Sequence, residues 1–122
     1  MLRRIGYVRI FVSDFDRAVG FYTTQLGMPL SFRDDDLGWA QLDTAGAVLA
    51  LERTDPQSEE GQGLIGRFLG ITMMVPDLRD AYETLQTRGV RFTGPPEKMP
   101  WGGTITHLYD PDENVLTLLE GE

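Results

Sequence analysis

Of the side chains able to act as acid, base, nucleophile or metal ligand, this 122-residue chain holds one histidine, His107, and no cysteine. Thiolate nucleophiles, disulfide frameworks and cysteine-based zinc sites are therefore excluded. His107 falls in the strand-like run Thr-Ile-Thr-His-Leu-Tyr. It is either an ordinary strand or surface histidine, or a general base or ligand contact. Glu52, which closes Ala-Val-Leu-Ala-Leu-Glu, is the carboxylate that would accompany it in acid–base chemistry, so His107 and Glu52 are the candidate catalytic pair.

A second group of residues is suited to binding. Asp34, Asp35 and Asp36 stand together in Arg-Asp-Asp-Asp-Leu-Gly. Three adjacent carboxylates attract a polyamine or guanidinium tail, more strongly at low salt, or else form a solvated turn. Trp39 and Trp101 are the two tryptophans. Trp101, in Met-Pro-Trp-Gly-Gly, either stacks a planar ligand or anchors its loop, and Gly102-Gly103 lets the backbone approach closely. Arg9 either contacts an anionic or carbonyl-bearing ligand or pairs with Glu52, because an unpaired buried charge is costly.

Bulk properties bound the partners. Nineteen acidic against eleven basic residues give a formal net charge of −8, which leaves no cationic surplus for phosphates and argues against nucleic acid. The acidity serves solubility or draws a cationic ligand. No apolar run approaches a membrane span, and Met-Leu-Arg-Arg-Ile-Gly-Tyr lacks a signal-peptide core. A cytoplasmic protein without membrane association is expected.

The elements that must position these residues come as a repeat. Residues 12–27 and 75–89 both run from a strand-ending Val-x-Asp to a closing Gly, with Ala four residues after the Asp. Asp14 to Gly27 is one residue longer than Asp77 to Gly89. In the first copy, Tyr7–Val12 alternates as a half-buried strand, Ser13 or Asp14 caps a helix, and Gly27 and Pro29 end it. Ala18, Phe21, Tyr22 and Leu26 form its apolar face. Short strands follow at Trp39–Leu42 and Val48–Glu52, after a turn at Arg33–Gly38. A polar, glycine-rich linker covers about 54–67. The second copy reads as strand Gly70–Val75, helix Leu78–Arg88, and strands Val90–Thr93, Thr104–Tyr109 and Val115–Glu120, with a loop over Gly94–Gly103. The expectation is one α+β domain of two βαβββ modules, about 5–55 and 68–120, neither able to bury its own sheet face alone.

Val-Ser-Asp-Phe-Asp-Arg-Ala-Val-Gly-Phe-Tyr…Leu-Gly, the matching Val-Pro-Asp-Leu, Pro-Trp-Gly-Gly and Asp-Pro-Asp-Glu-Asn-Val-Leu resemble the vicinal oxygen chelate superfamily. That group holds glyoxalase I, extradiol dioxygenases and the fosfomycin- and bleomycin-resistance proteins. The resemblance implies paired modules forming a cupped mixed sheet with helices outside, a ligand cavity in the cup, and a homodimer. It places the metal-ligand positions of metal-dependent members at Tyr7, Ala50, Gly70 and Thr117, where Gly and Ala carry no ligand atom and neutral Tyr and Thr are poor ones. No metal and no cofactor are therefore expected. In the same register Tyr7, Arg9, Phe11, Val48, Glu52, Thr72 and Met74 face the cavity. The closest branch is the metal-free bleomycin-resistance one, which implies sequestration of an aromatic, cationic small molecule by Tyr7, Arg9, Phe11, Asp34, Asp35, Asp36, Trp39 and Trp101. The alternatives are a glyoxalase-like lyase, isomerase or dioxygenase with an atypical site, or an accessory domain whose cavity its own side chains fill. Glu113 stands where the superfamily usually has Gly.

Overall fold

The computed structural model describes all residues, Met1–Glu122, as two compact units, Met1–Ile65 and Gly66–Glu122. Both follow the βαβββ plan that the repeat predicts, with one edge strand of the second unit split in two.

In the first unit, β1 (Tyr7–Val12) runs from exposed Tyr7 and Arg9 into the core, where Ile10 and Val12 are fully buried and Phe11 between them is buried as well. The chain then turns at Asp14, the helix N-cap, whose carboxylate accepts from the Arg17 amide at 3.1 Å. That satisfies one of the donors a helix start leaves without a partner. Helix α1 (Phe15–Gly20) buries Phe15, Ala18 and Val19, then continues without a break into a π-turn at Phe21–Gln25. There the Leu26 amide reaches back five residues to the Phe21 carbonyl at 2.9 Å. Thr23 Oγ1 donates to the Val19 carbonyl at 2.6 Å alongside it. Phe21 and Tyr22 remain buried.

Strands β2 (Leu30–Asp34), β3 (Trp39–Leu42) and β4 (Val48–Arg53) complete a sheet in the order β1-β4-β3-β2, with β1 parallel to β4 and the others antiparallel. Ala40, Leu42, Leu49 and Leu51 join Ile10, Val12, Ala18 and Tyr22 in the core. Each fully buried Leu or Ile contributes about 1.5–3 kcal/mol. The expected turn at Arg33–Gly38 is shorter than the sequence indicates, because Arg33 and Asp34 still pair with Ala40 and Trp39 as the end of β2. Gly38 makes the remaining turn possible. Its φ of +67° is left-handed, and a Cβ there would meet the Arg53 side chain.

The second unit repeats the plan with β5 (Phe68–Val75), α2 (Leu78–Thr87), β6 (Arg91–Phe92), β7 (Glu97–Lys98), β8 (Thr104–Tyr109) and β9 (Val115–Glu120). Its sheet order is β5-β9-β8-β6, with β5 parallel to β9 and β7 also on β8. Asp77 caps α2 as Asp14 caps α1, accepting from the Asp80 amide at 3.1 Å. Glu120 on β9 adds a bond from the Leu78 amide, also 3.1 Å. Leu78, Val90, Leu108, Leu116 and Leu118 form the core.

Three boundaries differ from expectation. Strand β5 starts at Phe68. Arg88 is the C-cap of α2 rather than its last turn. The strand expected over Val90–Thr93 pairs only at Arg91 and Phe92, while Glu97 and Lys98, inside the expected loop, form β7. Pro95 and Pro96 interrupt that edge because neither can donate to a ladder. The turn between β8 and β9 is built on Asp110, whose carboxylate accepts from the Asp112 and Asn114 amides and from the Asn114 side chain, at 2.8–3.0 Å. Glu113 in that turn adopts φ +66°, the conformation a glycine would take freely.

Candidate functional site

Strand alternation assembles one face of the first unit. Tyr7, Arg9 and Phe11 occupy alternate positions of β1, Ala50 and Glu52 lie opposite Arg9 and Phe11 on β4, and Trp39 and Gln41 lie opposite Glu52 and Ala50 on β3. The Trp39 ring meets Tyr7 edge to face, with centroids 5.4 Å apart and planes at 85°. Its indole N–H donates to Gln41 Oε1 at 2.9 Å, which fixes the ring's direction. Gln41 was not singled out in the sequence, although its position two residues along a strand from Trp39 puts both on one face.

Arg9 pairs with Glu52 at 3.2 Å and lies 5.2 Å over the Phe11 ring. The pairing is one of the two roles that the sequence offered for Arg9. With 55% and 30% of the two side chains exposed, this is a partly solvated bridge whose net contribution is about 0–1 kcal/mol. At the same end of the face, the segment after β4 folds over to close a cavity of about 410 Å³ bounded by Phe11, Glu52, Asp55, Ser58, Glu60 and Leu64. The composition of the linker gave no sign of this wall. It arises from local bonds, with Ser58 Oγ donating to the Asp55 carbonyl at 2.6 Å and the Gly61 amide to Ser58 Oγ at 2.9 Å.

The acidic run is largely engaged within the chain. Arg33 binds Asp16 and Asp35, each at 2.8 Å, and those hydrogen bonds, Asp16 first, hold its guanidinium above its ordinary pKa. Asp34 accepts from the Leu37 amide at 3.1 Å, and Arg53 donates to the Asp35 and Asp36 carbonyls at 3.2 and 3.1 Å. Arg33 and Arg53 both lie against the Phe15 ring.

In the second unit, Thr72 and Thr117 are register partners, and His107 lies opposite Thr117 on the other side of β9. His107 Nδ1 and Thr117 Oγ1 are 2.9 Å apart, and the Phe68 and His107 rings pack with centroids 5.8 Å apart and planes at 69°. Trp101 stands 64% exposed in the turn closed by the Met99 amide on the Gly103 carbonyl at 2.8 Å. Its ring lies over Gly103, where a Cβ would overlap it. Met74 is also exposed.

Of the candidate catalytic residues, Glu52 is engaged with Arg9 in the first unit and His107 with Thr117 in the second. No three His, Asp or Glu side chains cluster in a way that could hold a metal ion. The metal positions of the resemblance carry a T-packed tyrosine, a buried alanine, a glycine and a threonine engaged with His107. These residues do not fit a divalent metal.

Residues 4–118 match the Glyoxalase/Bleomycin resistance protein/Dioxygenase superfamily, and the chain belongs to it. A member of that superfamily from Sphaerobacter thermophilus DSM 20745 superposes with TM-score 0.83 at 35% identity, covering 98% of each chain. TnmS3, an antibiotic binding protein from Streptomyces sp. CB03234, gives 0.76 at 28% identity, covering 99% of this chain and 98% of that one. The bleomycin resistance protein of Klebsiella pneumoniae is 28% identical over 116 residues, 89% of this chain and 86% of the relative. No helix is long and apolar enough to cross a membrane.

Proposed function

We propose that this protein is a metal-independent binder that sequesters an aromatic, cationic small molecule in the cytoplasm and works as a homodimer. The observation that carries this reading is the first unit's face: two fixed aromatic rings, Tyr7 and Trp39, on the same strand face as a cavity rimmed by Glu52, Asp55 and Glu60. The rings supply flat apolar area at low conformational cost. Two arginines also border the cavity, but Arg9 is engaged by Glu52 and Arg53 by backbone carbonyls. A ligand cation therefore finds Asp55 and Glu60 as acceptors. The net charge of −8 draws it inward, and Asp34, Asp35 and Asp36 add to that field although Arg33 offsets part of it. In the second unit Trp101, exposed on its glycine turn, is the aromatic surface for the same ligand class. Antibiotic binding by TnmS3 and the name of the Klebsiella relative support this class of function.

The test is a tryptophan-fluorescence titration with a bleomycin-type glycopeptide at low and moderate salt. Saturable, stoichiometric quenching that weakens with salt, with the ligand recovered unchanged, is expected. Trp39→Ala should weaken binding about fivefold, the loss of one ring contact of roughly 1 kcal/mol. Absence of quenching at both salts sinks the drug-binding reading, and a chemically altered ligand would replace it with the lyase or dioxygenase one.

A further inference from the structure

The second unit has a cavity of its own, about 400 Å³, under the Gly94–Met99 segment and against β8. It is bounded by Pro95, Pro96, Met99, Ile105, Glu97 and His107. None of its residues belongs to the aromatic face of the first unit, so what it binds does not depend on the function proposed above. The volume lies in the lower part of the range for small-molecule sites. Two prolines with fixed φ make part of the wall rigid before any ligand arrives.

Few side-chain donors line this cavity. The Thr106 hydroxyl is engaged on the Gly94 carbonyl at 2.6 Å, and the Thr93 hydroxyl faces the His107 carbonyl at 3.5 Å. Prolines have no N–H, and the Met99 amide is on the Gly103 carbonyl. His107 Nε2 has no partner, whereas Nδ1 faces Thr117 Oγ1.

The tautomer follows from the threonine. Thr117 is only 7% exposed, and Nδ1 is the sole acceptor within reach of its hydroxyl proton. A buried hydroxyl with nothing to donate to is costly, so Thr117 donates to Nδ1 and the neutral ring carries its proton on Nε2. The Phe68 ring packs on this imidazole with centroids 5.8 Å apart and planes at 69°. In that tautomer Nε2 is a hydrogen-bond donor.

We infer that this cavity is a second binding site, for a rigid, largely apolar compound of one or two rings that bears an uncharged carbonyl, with His107 Nε2–H donating to the carbonyl oxygen. The exposed Glu97 carboxylate at the same cavity disfavours a ligand carboxylate, which leaves a ketone, lactone or amide oxygen as the acceptor.

His107 is the only histidine, so protein labelled with ¹⁵N-histidine reports one imidazole. At mildly alkaline pH the unliganded protein should show the Nε2–H tautomer. Coumarin should shift the Nε2 signal saturably and bind about fivefold more tightly than naphthalene, which has the same bicyclic outline without the oxygen. Coumarin-3-carboxylate should bind more weakly than coumarin. Thr117→Val should redistribute the tautomers and erase most of coumarin's advantage while leaving naphthalene binding unchanged. An Nδ1–H tautomer in the wild type, an unperturbed imidazole with coumarin, or equal binding of coumarin and naphthalene would overturn the inference. Because the readout is His107 and the probes are neutral, these outcomes are separate from the glycopeptide titration.

Discussion

Glu113 sets two small effects against each other. A non-glycine residue in the left-handed region costs about 1 kcal/mol, and Glu113 sits there at φ +66°. Its carboxylate binds Arg91 through both oxygens, at 2.6 and 3.3 Å, and raises the pKa of that guanidinium. Both side chains are more than half exposed, so the pair contributes only about 0–1 kcal/mol. The backbone strain therefore equals or outweighs the ion pair. Glu113→Ala, which keeps the strain and loses the pair, should lower the urea midpoint. Glu113→Gly should match or exceed the wild type, and the reverse order would show that the ion pair dominates. At this scale the sequence was informative about residue type more than about partners. The Arg9–Glu52 pair was one of two alternatives, suggested by the cost of an isolated charge, and the departure at Glu113 was visible as a residue out of place. The binding of Arg33 to Asp16, seventeen positions earlier, was not, because nothing local links β2 to the first turn of α1.

The helices show how the elements absorb differences in length. The extra residue between Asp14 and Gly27 was apparent in the sequence, but where it went was not. It lies in the π-turn at Phe21–Gln25, one residue longer than an α-turn, so the chain beyond it keeps its angular phase and Gly27 still ends the helix with φ +74°. Deleting the exposed Thr24 should convert the turn to regular α-helix and change stability by less than about 1 kcal/mol in urea unfolding. Deleting Glu83 from α2, which has no surplus residue, rotates Tyr82 and Leu85 out of step with each other and should cost more than about 2 kcal/mol. Equal losses from the two deletions would show that the π-turn is not an accommodated insertion. Strand identity was legible wherever β-branched and aromatic residues alternate. It failed at β2 and β7, where Ser-Phe-Arg-Asp and Glu-Lys give too little alternation to separate a strand from a turn.

For the whole molecule, the repeat and its motifs were enough to indicate two βαβββ modules and the superfamily, since both are written in glycine, proline and capping residues that dictate backbone shape. The candidate site was less legible. The rings of Tyr7 and Trp39 could be anticipated from alternation, but both cavities depend on segments, the linker and the proline loop, that have no period to read. Each unit also leaves large apolar side chains in water, among them Phe32 at 49% and Phe68 at 62% exposed, which fits the proposed homodimer. Light scattering should give twice the 13.7 kDa chain mass, with a melting temperature that rises with concentration. Phe68→Glu should shift the species toward monomer, and a monomer at all concentrations in the wild type would remove the dimer from the proposal.

The π-turn also bears on residue equivalence between the halves of the chain. Any alignment of one copy on the other must open its gap inside a helix, among Phe21 to Gln25, and not in a flanking loop where gaps are ordinarily placed. A gap put after Gly27 would pair that glycine with Val90 instead of Gly89 and displace the comparison of helix ends by one position. The difference between the two copies is thus recorded as a change of helical pitch, within an element that both of them share.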